Sequence, residues 1–343
     1  MSTVNVNQLF VNSRITIPSY TEAQRDALDV EIGQVIYNST TGQFQVWTGD
    51  PDAENESDYG PGWISSPGPE LYDFSSVTFT PGGQTGYTGP SLQQVRSGIS
   101  GNDNWKNDTN FLNTSNGVIS WAVPKDGTYR IECWGAQGGR SNNWGPRGGQ
   151  GARMRGDFSL TQGSVLKLVV GQRGLDNTYD AGGGGGSYVT NSSNSALVIA
   201  AGGGGGSASG YAYGGNGYHG IATSNGSLGY NSRPGGTSGG GGTGYNAAGG
   251  GGGLTGNGSG SWYGYAFTNG ALGGPGQAQG GFGGGGGGGG TNGAGGGGGY
   301  SGGGASQWSF FGAGGGSINT GSNQSNSDAI QQLDGKITIT FIA

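Results

Sequence analysis

ALVIAAGGGGG, residues 196–206, decides how this chain is read: an apolar run of strand character passes without a polar spacer into five consecutive glycines. Further glycine runs fill 182–186, 239–242, 249–253, 283–290 and 295–299, and the one formal charge between 181 and 326 is Arg233. Glycine-serine tracts are ordinarily flexible linkers, but linkers carry polar flanks and these runs carry apolar ones. The alternative is backbone packed on backbone. Glycine lets two chains approach with nothing between them, and a left-handed helix of three residues per turn, rising about 3.1 Å per residue, is open to it. Such rods laid side by side can exchange N–H to C=O hydrogen bonds, with Cα–H to oxygen contacts as a second-order addition. The expectation is a fold held largely by main chain.

Composition narrows the alternatives. The chain has 343 residues, with 87 glycines, 11 prolines and 31% hydrophobic content, so its apolar supply is that of a smaller protein. Collagen requires strict three-residue spacing and abundant proline, and neither is present. Ordering glycine costs about 0.5–1 kcal/mol each relative to alanine, an opposing term that hydrogen bonds worth about 1 kcal/mol apiece must largely offset. The net charge of −6 is uneven: residues 1–70 hold two basic and ten acidic side chains, leaving +2 for the remainder. No cluster of lysine and arginine suits a polyanion, so no nucleic-acid partner is expected. Cys133 stands alone, which excludes an internal disulfide. Met1 opens a polar stretch, STVNVNQ, without the regions of a secretory signal, and no apolar run has the length of a membrane span. Membrane insertion is not expected.

Residues 14–65 read as a small unit. RITIPSY (14–20) is a short strand, TEAQRDAL (21–28) a brief helix capped by Thr21, and QVIYNSTTGQFQVWTG (34–49) a hairpin. In the hairpin Val35, Tyr37, Phe44 and Val46 alternate with polar residues around an Asn-Ser-Thr-Thr-Gly turn. The acidic stretch DPDAENESD (50–58) lacks the ligand alternation and turn glycine of an EF-hand and reads as a solvated loop. The domain division expected is an N-terminal module at 1–66, a proline-glycine hinge at 67–76 and a glycine-rich domain at 77–343. Strand character recurs at 73–80, 118–124, 127–135, 153–160, 164–171, 196–202 and 335–343. Seven short strands separated by turns predict a mainly β fold, a β-sandwich built from 77–202 and 335–343. The glycine runs and aromatic loops of 180–327 are then insertions projecting from one end.

Two resemblances bear on these segments. IPSYTEAQRDAL (17–28), GQVIYNSTTGQFQVWTG (33–49) and GWIS (62–65) resemble a short module of bacteriophage structural proteins. The second is stronger and covers 77–343. FTPGGQTGYTGPS (79–91), VPKDGTYRIECWGAQGG (123–139), DFSLTQGSVLKLVVGQRG (157–174), AGGGGGSYV (181–189), ALVIAAGGGG (196–205), GGFGGGGG (280–287) and GGGGGYSGG (295–303) resemble the glycine-rich extracellular domain of the anaplastic lymphoma kinase and leukocyte tyrosine kinase receptors. That resemblance implies a tumour-necrosis-factor-like β-sandwich with an inserted bundle of packed polyglycine II helices. It also raises a homotrimer, although those receptors themselves depart from the tumour-necrosis-factor trimer. The receptors have cysteines where this chain has Gly82 and Val95, so that clamp is missing here. A fold carries over by such a likeness, and a signalling role does not.

No catalytic constellation emerges. His219 is the one histidine, so a zinc site of several His or Cys ligands cannot be assembled. Cys133, in an alternating strand, reads as a small core residue, and Asp334 and Lys336 read as surface groups flanking the last strand. No phosphate-binding G-x-x-x-x-G-K-[ST] is present. No enzymatic activity, cofactor or metal is expected. Aromatics between the glycine runs are the remaining asset, because rings on loops bring large contact area at little conformational entropy. The candidate receptor contacts are Tyr211, Tyr213, Tyr218, His219, Tyr230, Trp262, Tyr263, Tyr265, Phe267, Trp308 and Phe310; Tyr188 and Phe282, beside long glycine runs, read as packing residues. The candidate docking residues of the N-terminal module are Ile15, Ile17, Tyr20, Tyr37, Phe44, Trp47 and Trp63. The expectation is a non-enzymatic protein of the phage particle surface, held by residues 1–66 to other virion proteins and presenting a rigid glycine bundle to a host receptor, protein or glycan. Capsid decoration, or a head fibre with a structural role, is the alternative.

Overall fold

A computed structural model describes residues 17–29, 34–40, 43–47, 63–65, 71–99, 104–142, 147–207, 216–229, 233–289, 293–306 and 310–343. The chain divides into two compact units, Met1–Glu70 and Leu71–Ala343. The boundary falls inside the expected hinge. Residues 71–76 belong to the second unit, where Tyr72 stacks on Trp105 with ring centroids 5.0 Å apart and Phe74 is buried.

In the first unit β1 (Ser19–Tyr20), β2 (Val35–Asn38), β3 (Gln43–Trp47) and β4 (Trp63–Ser65) form one sheet in that order, with β1 parallel to β2 and the other pairs antiparallel. The helix α1 (Glu22–Arg25) starts from a capping box in which the Thr21 side chain accepts from Gln24 N–H and the Gln24 side chain takes the Thr21 N–H. The hairpin buries Ile36, Asn38 and Gln45, whereas Val35 is 40% exposed and Tyr37 half-buried. Its inward polar groups satisfy one another: Gln45 Oε1 accepts from Asn38 Nδ2 at 2.9 Å and from Arg25 Nη1 at 3.1 Å.

The second unit is mainly β, with two antiparallel sheets in a sandwich-like arrangement. One holds β14 (Ser322–Gln331), β9 (Gly151–Leu160), β8 (Gly127–Trp134), β15 (Lys336–Phe341) and β5 (Ser76–Phe79), in that order. The other runs β13 (Ile318–Asn319), β12 (Ala196–Ala200), β11 (Ser187–Asn191), β10 (Val165–Val169), β7 (Val118–Ala122), β6 (Leu112–Ser115). Period-two alternation explains how they close. Tyr129, Ile131 and Cys133 of β8 and Ile337 and Ile339 of β15 point into one core with Trp121, Leu166, Leu168, Val189 and Val198 from the other sheet. The helix α2 (Leu92–Gly98), with its own Ser91–Gln94 capping box, adds Val95 to that core. Gly82, at φ 61°, lies against it so closely that a Cβ would stand 2.0 Å from the Gln94 carbonyl oxygen.

The strands β6, β11, β13 and β14 lie outside the segments that read as strands in the sequence. Asn116 and Gly117, both at positive φ, make the two-residue turn that joins β6 to β7. Asp334 is also not a free surface group: it is partly buried and accepts the N–H of Arg173 at 2.8 Å, and the burial raises its carboxyl above the usual range against the lowering pull of Arg173. Lys336 lies over the Trp134 ring, 4.3 Å from its centroid.

The six-stranded sheet is covered on its outer face as well. Val169, Tyr188 and Ile199 pack there against Leu254, Phe267, Ala271 and Phe282 of the glycine-rich segments. The glycines themselves are buried throughout 182–186, 202–206, 249–253 and 295–299. The first two of these runs continue the β11–β12 pair: 182–186 leads into β11, 202–206 leaves β12, and Gly184 N–H donates to Gly203 O at 2.8 Å.

In the runs 182–186, 202–206, 249–253 and 295–299 successive residues donate in different directions and return to the same neighbour every third residue, whereas 283–290, which opens with Gly283 and Gly284 at positive φ, does not keep that recurrence. Gly183 and Gly186 donate to Gly286 and Gly283, both at 2.8 Å; Gly182 and Gly185 donate to Leu175 and Gln172, at 3.1 and 2.9 Å. Gly295 and Gly298 donate to Ala181 and Gly184, Gly296 and Gly299 to Gly249 and Gly252, and Gly297 to Ala313. Backbone separation leaves no space for side chains. An added Cβ would stand 2.0 Å from the Gly149 carbonyl oxygen at Gly203 and 1.7 Å from that of Phe282 at Gly185.

Candidate functional site

Buried polar side chains stand at the ends of several glycine segments. At one such end Asp180, fully buried, accepts Ser207 Oγ–H at 2.5 Å and Gly293 N–H at 2.8 Å. No cation pairs with it among the described residues. Burial pushes its carboxyl up to about 6 against the pull of those two hydrogen bonds. Ser207 and Gly293 each lead into sequence beyond the described residues. Buried hydroxyls close other ends in the same way. Ser317 Oγ donates to Ile221 O at 2.6 Å and accepts Ala201 N–H at 3.0 Å, and Ser306 Oγ accepts Ala294 N–H at 2.7 Å.

Of the candidate contact residues, Tyr211, Tyr213, Tyr230 and Trp308 lie outside the described residues, as does Ile15 of the docking set, along with the side chains of Phe44 and Trp63. Ile17 is 36% exposed, and Tyr20, Tyr37 and Trp47 are half-buried. Tyr218 and His219 are exposed, and the Tyr218 and Phe311 rings meet in a T-shaped pair with centroids 4.9 Å apart. Tyr263 and Tyr265 are half-buried with centroids 4.9 Å apart, and the hydrogen bond to Tyr263 raises the Tyr265 phenol. Trp262 packs on backbone: an added Cβ on Gly276 would stand 3.1 Å from its Cγ. Phe310 is half-buried, and its carbonyl takes Ala294 N–H at 3.3 Å. No ring contact joins the Tyr218 pair to the Tyr263 pair among the described residues.

Phe267 is a correction. It is 4% exposed, stacks on Tyr188 at 5.2 Å between centroids, and belongs to the core between the glycine layer and the six-stranded sheet. Tyr188 and Phe282 are fully buried there, in keeping with their reading as packing residues. The Tyr188 hydroxyl donates to Gly299 O at 2.8 Å, tying strand β11 to a glycine run.

Two surface hollows flank these elements. The larger, about 720 Å3, lies among Pro90, Gln94, Asn113, Asn116, Asn269 and Leu272, with neither a charged nor an aromatic side chain in its lining among the described residues. The smaller, about 440 Å3, contains Tyr218 and His219 with Leu228 and Asp328. Asp328 is not a candidate on sequence; a bulge in β14 brings it there. Cys133 is fully buried, and burial drives its thiol well above the ordinary range, away from nucleophilic chemistry. Among the described residues no three His, Cys, Asp or Glu side chains cluster to hold a metal, and no helix is long and apolar enough to cross a membrane. No known protein-family model matches the chain.

Proposed function

We propose that this chain is a non-enzymatic bacteriophage virion protein whose glycine-rich unit is a rigid platform for adhesion to the host surface, with residues 1–66 docking it to other virion proteins. The observation that carries the reading is the three-residue recurrence of hydrogen bonds among buried glycine runs. A three-residue period is that of the left-handed helix open to glycine, so the runs are read as a bundle of polyglycine II helices; the sandwich that carries them is read as tumour-necrosis-factor-like from the receptor resemblance of residues 77–343. Such a bundle takes its order from backbone, leaving its turns free to differ in sequence without loss of the fold, which is what a recognition surface requires.

The exposed Tyr218 and His219 and the half-buried Tyr263 and Tyr265 support recognition at those turns. The outward Val35 and half-buried Tyr37 of the N-terminal hairpin support docking through its apolar face. Gold-labelled antibody raised against residues 71–343 tests the assignment on intact particles. Label at fibre tips, with purified chain blocking infection, is the expected result. Label spread over the head lattice would replace adhesion with capsid decoration.

A further inference from the structure

Segment 218–228 faces a bulge in β14. Ser327 stands opposite Arg153 and Gln331 opposite Gly151, so residues 328–330 oppose a single residue of β9. Within the bulge Ala329 has φ 53°, a region that residues with a Cβ enter rarely. Bulges redirect side chains, and this one carries Asp328 out to the facing segment. Asp328 Oδ1 accepts Ala222 N–H at 2.5 Å, and Ala329 N–H reaches Gly220 O at 3.4 Å. The resulting hollow of about 440 Å3 is lined by Tyr218, His219, Ile221, Ser227, Leu228 and Asp328, within the range of roughly 300–1,000 Å3 typical of ligand sites.

Its lining has two characters. Tyr218 and Leu228 are 46% and 61% exposed, and Phe311 packs against the tyrosine ring at an interplanar angle of 76°. Beside this apolar surface stand polar groups with unused capacity. His219 Nδ1 accepts Gln150 N–H at 2.9 Å, which places the ring proton on Nε2 as a donor. Neither Asp328 Oδ2 nor Ser227 Oγ has a hydrogen-bond partner among the described residues. A hexopyranose has the complementary surface: a face of C–H groups that sits on an aromatic ring, and a rim of hydroxyls that donate to a carboxylate and accept from an imidazole N–H. Among the described residues Asp328 is the one charged side chain lining the hollow, so an anionic sugar would meet like charge there.

We infer that this hollow binds a neutral hexopyranose unit of a carbohydrate, an assignment that gives the adhesion reading its ligand class and rests on that reading for its biological setting. Saturation-transfer NMR on the full chain tests it with glucose-, galactose- and mannose-terminated di- and trisaccharides, and with N-acetylneuraminic acid as the anionic comparator. Transfer to at least one neutral sugar and none to the comparator is expected. Affinity should fall about tenfold or more in Tyr218→Ala and in Asp328→Asn, the scale of one lost hydrogen bond to a charged group. Asp328→Asn keeps an oxygen for Ala222 N–H and decides the matter if Tyr218→Ala lowers the thermal midpoint. No transfer to any neutral sugar, or transfer undiminished by Asp328→Asn, overturns the assignment.

Adherence of the labelled chain to host bacteria separates the two claims. Adherence abolished by periodate, which cleaves vicinal diols, and spared by protease agrees with carbohydrate binding. The reverse pattern overturns the carbohydrate assignment and leaves adhesion standing. Sugar binding without adherence overturns adhesion and leaves the site.

Discussion

A methyl group on Gly203 would sit 2.0 Å from the carbonyl oxygen of Gly149, whereas one on Gly83, at φ 84°, would meet nothing within 4 Å among the described residues. The two substitutions therefore separate steric exclusion from backbone preference. Gly83→Ala carries only the positive-φ penalty, about 1 kcal/mol. Gly203→Ala forces two backbones apart and should cost more than about 3 kcal/mol, beyond the usual range for overpacking; urea denaturation of both variants measures the difference.

Asp180 gives a second residue-level prediction. Its folded carboxyl titrates at about 6, against about 3.9 in an unfolded chain. The folded state thus binds more protons between those values, and stability falls as pH rises from about 4 to 6. The substitution Asp180→Asn removes that fall, so the thermal midpoint of the variant should gain on the native protein across this window. Parallel curves would show that the carboxyl is not desolvated. Asp157 works in the opposite sense, because its hydrogen bond and ion pair with Arg130 lower its pKa, and it is common to both proteins.

At the scale of elements, β8 is legible because Tyr129, Ile131 and Cys133 alternate with polar residues, and burial follows that alternation. β14, SNQSNSDAIQ, is not: it is an edge strand whose residues are exposed or half-buried, defined by its pairing with β9 from far away in the chain. The Asn116–Gly117 turn is a readable signal for β6 that the apolar pattern alone does not bring out. Tyr218 and His219 can be singled out as ring-bearing residues beside glycine, but Asp328 cannot, since only the bulge places it beside them.

Phe267 escapes correct assignment for a related reason. In SWYGYAFTNG it is one aromatic of four, and nothing local distinguishes the ring that meets Tyr188 from those at the surface. Phe267→Ala should cost about 3–5 kcal/mol by leaving a cavity under the glycine layer, measured by chemical denaturation. A loss below about 1 kcal/mol, far short of that cavity cost, would mean that the layer does not depend on that apolar seam.

For the whole molecule, the sandwich core and the seam beneath the glycine layer are the apolar parts of the second unit, and the layer beyond them has almost no side chains to bury. Its order must come from backbone hydrogen bonds, made in three directions by the runs 182–186, 202–206, 249–253 and 295–299, since each buried N–H left without a partner would cost about 1–3 kcal/mol. A rigid layer can display loops; a floppy one cannot. Amide hydrogen exchange of the intact chain at residues 295–299 tests this most directly, with β8 and β15 as internal references. Exchange as slow as in those two strands is predicted, and exchange at the rate of an unstructured glycine peptide would contradict the account.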